Sequence, residues 1–159
     1  MYKNFREEDL TQAYKMLSES KIALVCTKGI AQDQYNITPI GWFTPFDYEP
    51  VTKALFVSDP DHQCAKNAER EKEFAICVPL SEKEDTEIKS IIEKCGSLSS
   101  EKADKFKQFN IQGEKASKTN LKLIPAHSKG MIEFKLIRII EEGSVKIFLG
   151  EAVSAWKRV

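Results

Sequence analysis

The sequence predicts a closed, mainly β architecture with short helical excursions. Roughly six or seven apolar runs of strand length recur along the 159 residues. The segments between them are short and hold turn residues or brief helical patterns. The chain closes on two long strand-like runs joined by the hairpin-like connection "EEGS". A doubly wound parallel sheet would instead alternate each strand with a full-length helix.

Taken in order, residues 7–19 space Leu10, Ala13, Tyr14 and Leu17 at helical intervals and predict an amphipathic N-terminal helix. Residues 21–27, "KIALVCT", predict a strand buried on both faces. The stretch "YNITPIGWFTPFDYEP" (35–50) mixes Pro, Gly and Trp, and makes a poor ordinary strand. Residues 52–58 predict a strand. Asp59 and Pro60 then read as the cap and first position of a helix through Arg70. Residues 74–79 form a strand ended by Pro79, and residues 82–94 a helix with Ile88, Ile91 and Ile92 on one face. "CGSLSS" reads as a loop, and "EKADKFKQF" as a short helix with Ser100 as its cap. The run "GMIEFKLIRII" largely alternates apolar and polar residues, as a strand does, and "VKIFLGEAVSAW" closes the chain. No linker divides the chain, so residues 1–159 read as one domain, 1–19 helical and 20–156 the barrel with its excursions.

Composition excludes several function classes. Lys plus Arg total 24 and Asp plus Glu total 24, without the basic excess of a nucleic-acid footprint. No apolar run approaches the ~20 residues that span a bilayer, and the first ten residues lack an apolar signal region. A cytoplasmic location, with neither membrane nor nucleic acid as partner, is expected. The four cysteines form no C-x-x-C pair, and the spacing of Cys and His predicts no metal centre. Cys26 and Cys77 lie in apolar runs and read as buried thiols. Dinucleotide-binding, P-loop and α/β-hydrolase fingerprints are missing.

Three polar stretches interrupt the strands: residues 35–50, "SDPDHQCAKN" (58–67) and "CGSLSSEKADKF" (95–106). Each alone has the composition of ordinary turns and caps. Together they suit a polar, planar, anionic ligand. Pro and Gly free backbone amides, while hydroxyls, a helix N-terminus and Lys105 suit a phosphate.

"NITPIGWFTPFDYEP" resembles the N-x-M-T-x-x-W-x-x-P-x-x-x-x-P signature of flavin reductase-like proteins, the FMN-binding split-barrel group that includes flavoredoxins and flavin or ferric reductases. "HQCAKNAEREKEFAICVP", "CGSLSSEKADKF" and "IFLGEAVSAW" are similar to the family's later motifs in the same order, so the resemblance covers residues 20–156. It implies a six-stranded antiparallel split barrel that binds FMN, usually as a homodimer. Asn36 and Thr38 would contact the flavin, with the backbone through Ile37, Pro39, Gly41 and Trp42, and the Trp42 ring beside the ring system. Ser58, Asp59, His62, Cys64 and Asn67 would serve the ribityl chain and phosphate. Ser97, Ser99 and Lys105 would close the site.

The resemblance also implies hydride uptake from NAD(P)H and electron transfer to a flavin, ferric chelate or protein acceptor. The cofactor carries the chemistry, and no side chain is needed as a catalytic acid. An electron carrier with little nicotinamide activity and a module that has lost FMN are the competing readings. Four departures stand out. Ser100 and Glu101 replace a Gly-Arg pair, Cys64 stands where the family has Thr, and Val145 replaces a frequent His.

Overall fold

The structure, a computed structural model, describes residues 1–99 and 101–159. Its main sheet is wholly antiparallel and built from β1 (Phe5–Glu7), β2 (Ala23–Lys28), β3 (Tyr35–Ile40), β4 (Phe43–Asp47), β5 (Lys53–Ser58), β6 (Glu73–Pro79), β9 (Ser128–Glu142) and β10 (Val145–Arg158). The hairpin β7 (Glu114–Lys115) and β8 (Lys122–Leu123) stands apart. The helices are α1 (Tyr14–Leu17), α2 (Gln63–Glu71), α3 (Ile88–Ser97) and α4 (Lys105–Gln108), with a 3₁₀ turn at Pro125–His127.

The sheet runs β3-β2-β6-β9-β10-β5-β4, with β1 also paired to β10. β3 and β4 end this order, yet only Gly41 and Trp42 separate them in the chain. The sheet therefore curls until its ends meet at that corner, where the Val57 amide donates to the Trp42 carbonyl at 2.9 Å. Closure is covalent there, which leaves a seam between β3 and the β4–β5 edge. This is the expected split barrel, with β1 and β4 added to the six expected strands.

Side-chain alternation builds two cores on opposite faces of the central strands. Val25, Phe74, Ile76, Val78, Ile132 and Phe134 face one core, with Phe56 and Phe148. Leu24, Cys26, Ala75, Cys77 and Met131 face the other, under α3 and α4. This is why residues 23–26 of β2 and 74–78 of β6 are apolar throughout. In the first core the Phe56 and Phe148 rings stack at 4.8 Å, and Phe74 stacks on Phe134 at 5.0 Å. Gly150 is required beside them, because a Cβ there would lie 2.7 Å from the Phe74 ring.

Several boundaries differ from expectation. Residues 7–19 are not one helix: β1 pairs with β10, a turn follows, and only Tyr14–Leu17 is helical. The Leu10 carbonyl accepts from the Thr52 amide, and the Tyr14 amide donates to the Thr52 hydroxyl, so the sheet takes groups a helix would use. After β5, the Asp59 carboxylate folds back on the Asp61 amide, and α2 begins only at Gln63. Asp85 likewise takes the Glu87 amide and delays α3 to Ile88. Cys95, Gly96 and Ser97, expected in a loop, complete that helix. The expected cap Ser100 lies outside the described residues; Asp104 caps α4 by accepting from the Lys107 amide.

The irregular segment 117–120 is held by two buried carboxylates. Glu133 accepts from the amides of Ser117, Lys118 and Thr119 and from the Ser117 and Thr119 hydroxyls. Glu73 accepts from the Asn120 amide and from Lys135. Burial pushes the Glu133 carboxyl up, but the hydrogen bonds outweigh it and hold it below the ordinary range. Ionised Glu133 therefore stabilises the fold above the unfolded carboxylate pKa of about 4.3, and this is lost as pH falls through the lower folded value. Glu133→Gln should cost about 3 kcal/mol at neutral pH, because it offers one acceptor oxygen to five donors. Urea unfolding across pH 3–7 should show that loss together with a shallower acid limb than the parent. An unchanged midpoint with an unchanged acid limb would contradict the role.

Candidate functional site

The seam opens into a cleft of about 410 Å³ between β3, the end of β5, the start of α2 and the end of α3. Being the last strand of the ladder, β3 has one backbone edge free of sheet pairing. From the first polar stretch, Asn36, Thr38, Pro39 and Trp42 line the cleft; from the second, Ser58, Asp59 and His62; from the third, Ser99 and Lys105. Three stretches far apart in sequence thus meet at one opening. The Asn36 amide nitrogen donates to the Thr38 hydroxyl at 3.0 Å, which fixes both side chains on the β3 wall. Trp42 is 70% exposed and stands at the lip rather than in a core.

Five expected residues do not line the cleft. The Ile37 side chain points into the outer core. Gly41 forms the corner beside it. Cys64 is sealed behind the wall, its sulfur 3.5 Å from the Ser58 hydroxyl, and burial pushes its thiol up. Asn67 is fully buried as a structural tie: it donates to the Thr27 hydroxyl and accepts from Gln63 and Arg70. The Ser97 hydroxyl turns back to the Lys94 carbonyl.

The lining also includes Ile40, Val57, Gln63, Cys95, Gly96, Leu98 and Val145. The signal for most of these was present, since they lie inside or beside the three stretches. Val145 occupies the cleft from the far end of the chain, at the position of the expected His. Glu101 does not line it, so the loss of an Arg there changes a neighbouring surface instead.

Lys105 is nearly sealed and donates to the Ile37 carbonyl at 2.8 Å and the Cys95 carbonyl at 2.7 Å. Burial pushes its amine down from the ordinary lysine value. Two of its three protons are thereby committed to tying β3 to α3, and one remains for the cleft. At Gly96 a Cβ would approach Pro39 to 3.3 Å, so helix and strand pack closely there.

The N-terminus of α2 is uncapped by any side chain. Among the described residues, no protein group accepts from the amides of Gln63 and Cys64. The Asp59 carboxylate beside it is turned toward the Asp61 amide. A nine-residue helix whose first residue, Gln63, brings a free amide donor to the cleft suits an anion such as a phosphate. The free edge of β3 and the apolar lip of Trp42, Leu98 and Val145 suit a planar ring. The residues present therefore fit a flavin mononucleotide.

Residues 17–158 match the flavin reductase like domain, and the chain belongs to that family. Several solved structures share the fold. An FMN-binding domain of a flavin reductases-like enzyme from Shewanella baltica OS155 aligns at TM-score 0.78 and 21% identity, over 98% of this chain and 78% of that one. Flavoredoxin of Desulfovibrio vulgaris (Miyazaki F) aligns at 0.73 and 19%, over 86% and 68%. An NADH:FAD oxidoreductase of Streptomyces globisporus C-1027 aligns at 0.72 and 18%, over 86% and 74%. No curated protein matches the chain in sequence.

The two bonds from Lys105 make a prediction that is independent of any ligand. Lys105→Met keeps the aliphatic bulk but strands two buried carbonyls, and should cost about 2–3 kcal/mol in ligand-free protein. Thermal unfolding without added flavin checks this. An unchanged midpoint would assign Lys105 to the ligand rather than to the wall.

Proposed function

We propose that this chain is one domain that binds FMN in the seam cleft and works as an oxidoreductase, accepting hydride from NAD(P)H and passing electrons to a flavin, a ferric chelate or a protein acceptor. The observation that carries this reading is the free first turn of α2 opening on a cleft walled by Asn36, Thr38 and Trp42. Family membership supports it, as does the FMN-binding description of a fold neighbour. When bound, FMN supplies hydride acceptance and the release of electrons singly or in pairs.

The chain's own residues bind, orient and exclude water. The amide of Gln63 holds the phosphate, with the Ser58 hydroxyl and His62 beside it. The Asn36–Thr38 pair and the free edge of β3 meet the polar edge of the ring. Trp42, Leu98 and Val145 cover its apolar surface while the open side admits the nicotinamide. Cys64 acts through Ser58, since it is sealed from the cleft. A second copy covers the exposed aromatics Trp42, Phe46 and Tyr48 beside edge strand β4, giving a homodimer.

Purified protein should be yellow or take up added FMN, and anaerobic NADH or NADPH should bleach it. Uptake without bleaching would favour an electron carrier, a reading the flavoredoxin fold neighbour supports. A colourless protein that ignores FMN would remove the proposal at its first step.

Trp42→Ala and Asn36→Ala should each weaken FMN binding about tenfold or more, a loss of roughly 1.4 kcal/mol. Flavin fluorescence quenching reads the affinity. The far-UV spectrum of Trp42→Ala should not change, because the ring is mostly exposed. Light scattering should report twice the monomer mass, and Phe46→Glu should lower it; a parent chain that remains monomeric would sink the dimer.

A further inference from the structure

A second polar cavity, of about 340 Å³, lies away from the seam, between the start of α3, the loop after α4 and the 3₁₀ turn before β9. Its chemistry centres on His127. The ring is nine-tenths buried, and its Nδ1 lies 2.6 Å from Asp85 Oδ2. The other Asp85 oxygen accepts from the Glu87 amide at 3.0 Å, which fixes the carboxylate in turn. A carboxylate on Nδ1 favours the tautomer with its proton there and leaves Nε2 as a lone-pair donor. His127 lines the cavity, and no protein group hydrogen-bonds Nε2 among the described residues. Its nearest carboxylate oxygen is Glu87 Oε2, at 3.9 Å.

That separation exceeds hydrogen-bond reach but suits two ligands of one ion. Zinc bonds to nitrogen or oxygen are about 2.0–2.2 Å long, so two of them span up to about 4.2 Å, or about 3.4 Å at a tetrahedral angle. The Glu87 side chain is 72% exposed and free to close the remaining ~0.5 Å. Donor atoms of Asp85, Glu87 and His127 all lie within 4.8 Å of one another.

We propose that His127 Nε2 and Glu87 bind a single borderline divalent cation, zinc-like rather than magnesium-like, with Asp85 orienting the imidazole and water filling the remaining positions. Ser90 and Asn110 add neutral polar groups to the cavity wall. Lys94 lines the same cavity and opposes a cation, which keeps the site in the micromolar range rather than tighter. The ion joins the 3₁₀ turn to the first turn of α3, whose last turn walls the cleft. It therefore steadies the cleft from a distance and takes no part in electron transfer. The cysteine and histidine spacing gave no hint of it, because its ligands are one histidine and one carboxylate brought together by folding.

The test is calorimetric titration of tag-free, chelator-treated protein with zinc chloride, with magnesium chloride in a parallel arm. The parent should bind about one Zn²⁺ per chain at micromolar affinity and show no heat with Mg²⁺. Glu87→Gln, at an exposed position that leaves the fold intact, should weaken zinc at least tenfold. Lys94→Met should strengthen it severalfold. Absence of zinc binding up to about 1 mM, or equal binding by parent and Glu87→Gln, would overturn the site. The titration is run without flavin, so its result is independent of the FMN proposal.

Discussion

Everything at the cleft depends on one constraint: two strands adjacent in sequence stand at opposite ends of one sheet. Gly41 and Trp42 are the whole connection between β3 and β4, so the ladder must curl until its ends meet. Backbone pairing cannot complete the circle at a corner, and the opening that results is the seam. A fully laddered barrel would have no free strand edge for a ligand. The corner also places Trp42 at the lip, since a residue in so short a turn has neither core to enter. The Pro- and Gly-rich composition that makes residues 35–50 a poor strand is thus the composition of a barrel corner.

A seam is mechanically weak, and the structure ties it with buried polar groups rather than apolar contact alone. Lys105 bridges the Ile37 and Cys95 carbonyls across β3 and α3. Asn67 joins α2 to β2 through Thr27, and Arg70 reaches the Lys28 carbonyl. Buried groups of this kind stabilise only when fully satisfied, and no described side-chain nitrogen or oxygen that is sealed from solvent lacks a partner. The same economy governs the far side, where Glu133 gathers a loop that has no regular structure of its own. Rigid walls suit the proposed role, in which a bound flavin would carry the chemistry and the chain would supply position.

The strands were legible because their burial is written twice. Alternate residues of β2 and β6 serve different cores, so residues 23–26 and 74–78 are apolar at every position and the register hardly matters to recognition. Helix boundaries were not legible, for a specific reason. Asp59 and Asp85 each carry a plausible cap chemistry, yet both spend their carboxylates on Asx-type turns, and the helices start later. The N-terminal periodicity misled because Thr52, distant in sequence, claims the local backbone groups. At the site, the lining was legible as three stretches but the division of labour within them was not. Asn67 and Lys105 share the residue types of ligand contacts, and only burial assigns them to the walls. The trio of Asp85, Glu87 and His127 left no pattern at all, since folding joins positions about forty apart.

The departures from the family pattern at Cys64, Glu101 and Val145 become intelligible once they are placed. A Thr-to-Cys change at position 64 would weaken a direct ligand contact, but Cys64 lies behind Ser58 and stays a neutral thiol because burial raises it. Its influence on a ligand is indirect, through the angle of the Ser58 hydroxyl. Glu101 lines the neighbouring groove, so its negative charge lies outside the seam cleft. Among the described departures, Val145 alone enters the cleft, where it exchanges a titratable imidazole for an apolar side chain. In the proposed reaction, hydride transfer between a nicotinamide and a flavin would move no proton through the protein, so that step would lose nothing by the exchange. What changes is the lip: beside Trp42 and Leu98, Val145 extends an apolar surface at the entrance, which favours a flat, weakly hydrated group over a charged one there.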